Sequence, residues 1–213
     1  MKTTFICQAV IAVHQAILAH EADIEGLDRA IGDGDHYINL KRGLDAITSM
    51  TSLHLYPNDE ALTNIGKKLL SSVGGAAGPL FASFFIEMAK YIKQVNSHEL
   101  SPLECAAAFA AGVQGIMHRG KAGLGEKTML DVLIPVSNAF TLSAAAGKSV
   151  VEICAAVKQA ADAGLESTRN MVATKGRAAG LGERAVGHLD AGAKSCQVVI
   201  NAVCDLLLKA NKR

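Results

Sequence analysis

The chain has 213 residues, 50% of them hydrophobic and 19% charged, with 21 Lys and Arg against 20 Asp and Glu for a formal net charge of +1. This composition belongs to a folded globular protein and excludes intrinsic disorder, while the lack of any run of like charge argues against a nucleic-acid partner. The length fits one domain spanning residues 1–213 and is short for two.

The opening segment, Met1 to Val10, is apolar enough to resemble a secretory signal, but His14, Gln15, His20, Glu21 and Asp23 interrupt it. Its period suits an amphipathic helix instead. Apolar positions recur at helical spacing over roughly 3–24, 38–50, 59–71, 79–94, 102–118, 128–144, 149–168 and 190–210, which predicts eight helices with ends good to about 2–4 residues. Abundant alanine and only 4% aromatics favour helix over sheet, so the expected class is all-α. Ser101-Pro102-Leu103-Glu104 reads as a helix start, with Ser as N-cap, Pro in the first turn and Glu completing a capping box. Pro79 plays a similar part after Gly78. No stretch reaches the roughly 20 uninterrupted apolar residues of a membrane span, and a cytoplasmic protein without a membrane partner is expected. The five cysteines, Cys7, Cys105, Cys154, Cys196 and Cys204, form no Cys-x-x-Cys pair and are expected to be small buried hydrophobes.

Four corners between the helices combine glycine with charged or hydroxyl residues: Gly32 to His36, Ser71 to Gly78, Arg119 to Thr128, and Lys175 to Arg184. In an up-and-down helical array these alternate corners fall at the same end. One rim would then be lined by glycine and charge.

Asp28, Asp33 and Asp35 on the first corner suit a hard cation such as Mg2+, because carboxylates gathered without compensation repel one another. An EF-hand is excluded, since Tyr37 and Ile38 occupy its next positions and no glutamate closes the loop. An N-cap and turn cluster is the structural alternative. The second corner offers backbone N–H groups ahead of a helix, which bind phosphate or else permit a close helix crossing. Gly120 and Gly125 followed by Lys127-Thr128 resemble a Walker A loop, but Glu126 puts the lysine one residue out of register and a helix precedes the loop. Lys127 stays open between a solvated and a ligand-bound role. Arg177, flanked by small residues, can present a planar, always-charged donor to a terminal phosphate. Among the histidines only His36 beside the carboxylates invites a functional reading. His14, His20, His54, His98 and His118 read as surface or helix-end residues, with His188 undecided.

Taken in order, the motifs resemble the L subunit of bacterial dihydroxyacetone kinases, itself similar to the C-terminal domain of the single-chain enzymes. The resemblance rests on Leu27-Asp28 with Ile31-Gly32-Asp33-Gly34-Asp35-His36 and Asn39, and on Ser71 to Gly75 with Gly78-Pro79-Leu80. Arg119 to Ala122, Lys127-Thr128-Met129 with Asp131, Lys175 to Ala178, Leu181 to Arg184 and Gly187-His188 continue it. It implies an eight-helix up-and-down antiparallel barrel with a Mg-nucleotide, ADP or ATP, at one rim. Carried over, Asp28, Asp33 and Asp35 would hold two Mg2+ ions, and His36, Asn39, Ala77, Gly78, Gly120, Met129, Arg177, Asp190 and Gly192 would contact the nucleotide, with Arg177 as the catalytic arginine. The acceptor, a short ketose, would sit covalently on a histidine of a partner K subunit, and a phosphohistidine M subunit of the phosphotransferase system would recharge ADP in one form of the enzyme. A homodimer stays open. Three positions depart from the pattern: Tyr37 for glycine, expected to place a ring beside the phosphates; Ala77 for serine; and Ala191 for proline. Tyr37 is the feature that would favour a nucleotide-sensing paralogue without transferase activity, and a plain helical scaffold is the third alternative. The departures also leave room for a kinase subunit serving another short ketose.

Overall fold

The apolar periodicities become helices in the computed structural model, which describes residues 3–95 and 99–212. Among the described residues there are nine α-helices and no strand: α1 (Thr3–Ala19), α2 (Glu21–Ile31), α3 (His36–Thr48), α4 (Asn58–Ser72), α5 (Ala77–Val95), α6 (Pro102–Gly120), α7 (Leu130–Ala145), α8 (Val150–Ser167) and α9 (Ala191–Ala210). Short 3-10 turns cover Leu53–Leu55, Thr168–Asn170 and Arg177–Ala185. The all-helical class expected from composition holds. His98 lies outside the described residues.

The first predicted helix is two. The chain bends by 64° between α1 and α2 where His20 turns back on α1, its ring Nδ1 2.9 Å from the Ala16 carbonyl. The apolar series Ile24, Leu27, Ile31 then carries α2 beyond the expected end at 24. A bend of this size does not reverse the chain, so α1 and α2 together take the place of the one helix expected there. Elsewhere the ends are set locally. Glu104 N–H donates to Ser101 Oγ (3.2 Å) while Ser101 N–H donates to Glu104 Oε2 (2.7 Å), the expected capping box. Ser149 and Glu152 repeat the device at α8, and these bonds to the charged form hold the Glu152 carboxyl at about 2.

The helices pack in chain order from α3 to α9, and α1 lies against both α9 and α3, which closes the circuit. Ile17, Ile65, Ile116 and Val136 are at most 1% exposed, each contributing about 1.5–3 kcal/mol of burial before ordering costs. Phe81 of α5 packs against three of the core clusters at once. By length and composition α9 could cross a membrane, with mean hydropathy 1.3, but Ala193, Cys196, Ile200 and Cys204 bury its apolar face in the core shared with α7 and α8. Cys154 is buried with them, Cys7 and Cys105 are half-buried, and all five thiols are free. A separate small cluster of Ile31, Ala173, Ala178 and Ala185, backed by Leu181, seats the segment between α8 and α9 on the end of α2.

Candidate functional site

Gly32 lets the first corner fold onto itself. A Cβ there would overlap the Asp28 carboxylate and its carbonyl oxygen, so only glycine allows the chain to pass so close to Asp28. One carboxylate oxygen from each of Asp28, Asp33 and Asp35 lies within 4.8 Å of the others, with Asp28 buried and the other two exposed. Asp28 Oδ2 accepts the His36 N–H at 3.0 Å, fixing the first turn of α3 beside the cluster. Three hard oxygen donors at this separation suit a Mg2+-sized ion that completes its shell with water and phosphate.

The His36 ring leaves the carboxylates and meets the start of α9, with Nε2 3.0 Å from Ser195 Oγ. Ser195 gives its hydroxyl hydrogen to the Gly192 carbonyl at 2.9 Å, so its oxygen accepts, and the Nε2–H tautomer is assigned on that basis. Burial pulls the His36 pKa below its usual value against the charges of Asp28 and Asp35. Tyr37 corrects an expectation. Its ring is 5% exposed, packed with Ile17, Ile24, Leu40, Leu44 and Val198, and its hydroxyl donates to Glu21 Oε2 at 3.0 Å. One residue on from His36 is most of a third of a helical turn, enough to aim the ring into the core and not at the rim. Burial and the Glu21 carboxylate push its pKa up to about 12.

The second corner touches the first. A Cβ on Gly74 would stand 2.8 Å from Asn39 Oδ1, the atom that accepts from Arg42 Nη1 at 3.2 Å. Gly78 is pressed on the Val73 carbonyl so closely that any side chain would overlap it. Helix α5 begins at Ala77, earlier than expected, so the N–H groups of Ala77 and Gly78 lie in the first turn, where no intrahelical partner exists. Ala77 packs its methyl on the core and offers the rim backbone only.

In the third corner Lys127 is neither solvated nor free for a ligand. Its side chain is 1% exposed, and Nζ donates to the carbonyls of Thr168 (2.5 Å) and His188 (2.6 Å). Asp131, fully buried, accepts from Gly125 N–H (2.5 Å) and Thr128 N–H (2.8 Å) and so shapes the loop from α7. Glu126 accepts from Gly123 N–H (2.6 Å) and Thr174 Oγ1 (2.9 Å), bonds that hold its carboxyl below the usual range. Gly120 lies against Leu80 of α5.

The fourth corner brings Arg177 to the carboxylates: its Nε is 2.8 Å from Asp33 Oδ2, with the arginine side chain 76% exposed. Asp190 caps α9 through Ala193 N–H at 2.7 Å, and burial pushes its carboxyl up to about 6. Ala191, the first residue of α9, occupies the one helical position where proline is equally at home, so the departure from proline leaves the cap intact. Gly192 lies against Met129, which follows the third corner and precedes α7.

These contacts form a closed chain. Asn39 links the first corner to the second, Leu80 the second to the third, Lys127 and Met129 the third to the fourth, and Arg177 and His36 lead back to the first. The sequence leaves Lys127 open between two roles, shows Asp131 only as part of a motif and gives no sign of Thr168, Arg169 or Ser195, whose contacts with Lys127, Gly187 and His36 join distant parts of the chain. Two clefts of about 470 and 520 Å3 run along α4 at Tyr56, Asn64 and Lys67, and none of the expected site residues lines them.

A closed circuit of helices whose alternate corners gather carboxylates, an arginine and glycine-held backbone at one rim defines a helical module with a single charged face. The DAK2 domain model matches residues 30–205, and the chain belongs to that family. It is 42% identical over 173 residues, 81% of each chain, to the ADP-binding subunit DhaL of the PEP-dependent dihydroxyacetone kinase of Escherichia coli K12. It is 32% identical to the corresponding subunit of the PTS-dependent enzyme of Lactococcus lactis, over 91% of this chain and 92% of that one. Both relatives are kinase subunits by name. A crystal structure of the dihydroxyacetone kinase of C. freundii in complex with AMP-PNP and Mg2+ shares the fold, with TM-score 0.74 and 24% identity over 95% of this chain. The chain spans about a third of that enzyme, 34% of its length.

Proposed function

We propose that this chain, read as one domain over residues 1–213, is the nucleotide-binding subunit of a dihydroxyacetone-type kinase, active only with a partner. The observation that carries the reading is the closed chain of contacts at the rim, which gathers the carboxylates of Asp28, Asp33 and Asp35 within 4.8 Å of one another and sets Arg177 against Asp33 at 2.8 Å. Asp28, Asp33 and Asp35 would hold two Mg2+ ions, which supply the positive charge that lets a polyphosphate approach three carboxylates. His36, Asn39, the N–H groups of Ala77 and Gly78, Gly120, Met129, Asp190 and Gly192 surround the place for ADP or ATP. Arg177, already beside Asp33, is the donor placed to follow charge onto the transferring phosphoryl group.

Phosphoryl transfer depends on holding the acceptor in line, and the rim residues are all engaged with metal, phosphate or one another. The acceptor, a short ketose, therefore belongs on a second protein, a K subunit that covers this rim and excludes water. The names of the relatives support the reading: ADP-binding subunits of PEP- or PTS-dependent enzymes fit a nucleotide recharged in place by a phosphohistidine M subunit. A relative named L-erythrulose kinase, 27% identical over 95% of this chain and 34% of its own length, fits a partner-determined choice of ketose. With Tyr37 in the core, the feature that favoured a sensing paralogue is gone. Free thiols throughout suit the reducing cytoplasm.

Calorimetry tests the first half: Mg-ADP should bind, and excess EDTA should remove binding. Activity tests the second. The purified chain should leave dihydroxyacetone untouched with any nucleotide, and adding a K subunit, with ATP or an M subunit as donor, should switch transfer on. Steady turnover of free ketose by the chain alone would refute the two-subunit mechanism.

A further inference from the structure

The segment that carries Arg177 leaves α8 at Thr168 and returns at His188, just before α9, and both of its ends meet one side chain. Lys127 Nζ donates to the Thr168 carbonyl at 2.5 Å and to the His188 carbonyl at 2.6 Å. Between those points the stem is paired once more, by Gly187 N–H to the Arg169 carbonyl at 2.8 Å and Arg169 Nη1 to the Gly187 carbonyl at 3.3 Å. Thr168, fully buried, donates its hydroxyl to the Leu165 carbonyl (2.7 Å) and accepts the Asp190 N–H (3.1 Å). The closed base is therefore continuous with the cap of α9. Beyond the base, Glu126 holds Thr174 and Arg177 reaches Asp33.

We propose that Lys127 is a positioning residue whose buried ammonium staples the base of the Arg177 loop and thereby sets Arg177 and Asp190 against the rim. A lysine in this place is expensive. Its backbone is left-handed, with φ 58, a conformation that side-chain-bearing residues avoid, and burial lowers its pKa against the charges of Asp190 and Asp131. A buried cation with two of its three donors committed to carbonyls is not a phosphate ligand, despite its resemblance to a Walker lysine. What it satisfies are two carbonyl oxygens that a methionine of similar size would leave without that donor. The staple also has the reach its task needs, since a side chain from the third corner spans to both stems of the fourth. This deepens the proposed function, because Arg177 and Asp190 matter to nucleotide only on that reading.

The test uses the full chain with Lys127→Met and Lys127→Gln, and Val136→Ala as a reference core truncation. Trypsin cleavage at Lys175, Arg177 and Arg184 reports the loop, circular dichroism the helices, and calorimetry the affinity for Mg-ADP. Both Lys127 variants should keep their helix content, be cut in the loop at least about tenfold faster than wild type, and bind Mg-ADP at least about tenfold more weakly. Val136→Ala, matched in burial, should lower the melting temperature while leaving loop cleavage and affinity near wild type. Wild-type loop protection in the Lys127 variants, cleavage no faster than in Val136→Ala, or collapse of the helices in both would overturn the assignment. If the wild-type chain fails to bind Mg-ADP at all, the proposed function falls, and the cleavage contrast still decides the staple.

Discussion

The corners at Ser101 and Ser149 and the four corners of the rim solve the same problem, ending one helix and starting the next, by opposite means. At Ser101 and Ser149 the capping-box bonds each span three residues, so each cap closes within its own sequence. At the rim the bonds span 41 residues from Lys127 to Thr168, 61 from Lys127 to His188 and 159 from His36 to Ser195. A local corner needs nothing from the rest of the fold. A rim corner exists only when the circuit has closed, and its cost is justified by what the gathered groups can do together.

The largest effect that could break this contrast lies in the carboxylates. Asp33→Asn or Asp35→Asn removes one ligand charge from an exposed edge, so Mg-ADP affinity should fall by at least about 100-fold, or roughly 2.7 kcal/mol, with helix content and melting temperature held. A variant that fails to fold would make the cluster structural and erase the distinction between the two kinds of corner. Next in size is Arg177→Lys, which keeps charge and loses the planar fork. With a K subunit present the transfer rate should drop about 100-fold, while Mg-ADP affinity changes far less. Equal losses in rate and affinity would assign Arg177 to ground-state binding.

The contrast also explains what was readable. The capping box at Ser101, helices within two or three residues of the expected ends for most of the chain, and the gathering of Asp28, Asp33 and Asp35 all depend on short spacings that a sequence displays directly. The break at His20 did not show, because an apolar stripe continues through both α1 and α2 and a bend leaves the period nearly intact. Tyr37 was misplaced for a related reason. Proximity to Asp35 and His36 along the chain says nothing of direction, and the core cluster that claims its ring comes from α1, α2, α3 and α9. Lys127 was undecidable because its partners are backbone carbonyls, which carry no sequence signature.

A smaller effect sharpens the local side. Ser149→Ala should cost about 1 kcal/mol of stability, the usual value of a lost N-cap, and chemical denaturation would read it as a shift in midpoint at unchanged slope. Nucleotide affinity should not move, since α8 starts away from every rim contact. A loss of Mg-ADP binding in this variant would mean that the capped corners are coupled to the rim after all.

The smallest expected effect concerns Tyr37, which sits at the boundary between the two regimes, one residue from His36 of the first corner and yet committed to the core. Tyr37→Phe keeps the ring among Ile17, Ile24, Leu40, Leu44 and Val198 and deletes only the hydroxyl that donates to Glu21 Oε2 at 3.0 Å. A hydrogen bond of this kind contributes about 0.5–1.5 kcal/mol net, and Glu21 is exposed, so water can serve the freed carboxylate and the loss should fall at the lower end. The sign with pH follows from the direction of the shift. A tyrosine whose folded pKa is raised to about 12 from an ordinary value near 10 stays neutral at every pH where the protein is handled. The deficit of Tyr37→Phe should therefore be constant from about pH 6 to pH 9, and the wild type should lose stability as the pH climbs past the unfolded-state value, a loss that the phenylalanine variant lacks. Mg-ADP affinity and transfer with a K subunit should match wild type. A tenfold change in either would return the Tyr37 ring to the phosphates and revive the sensing paralogue.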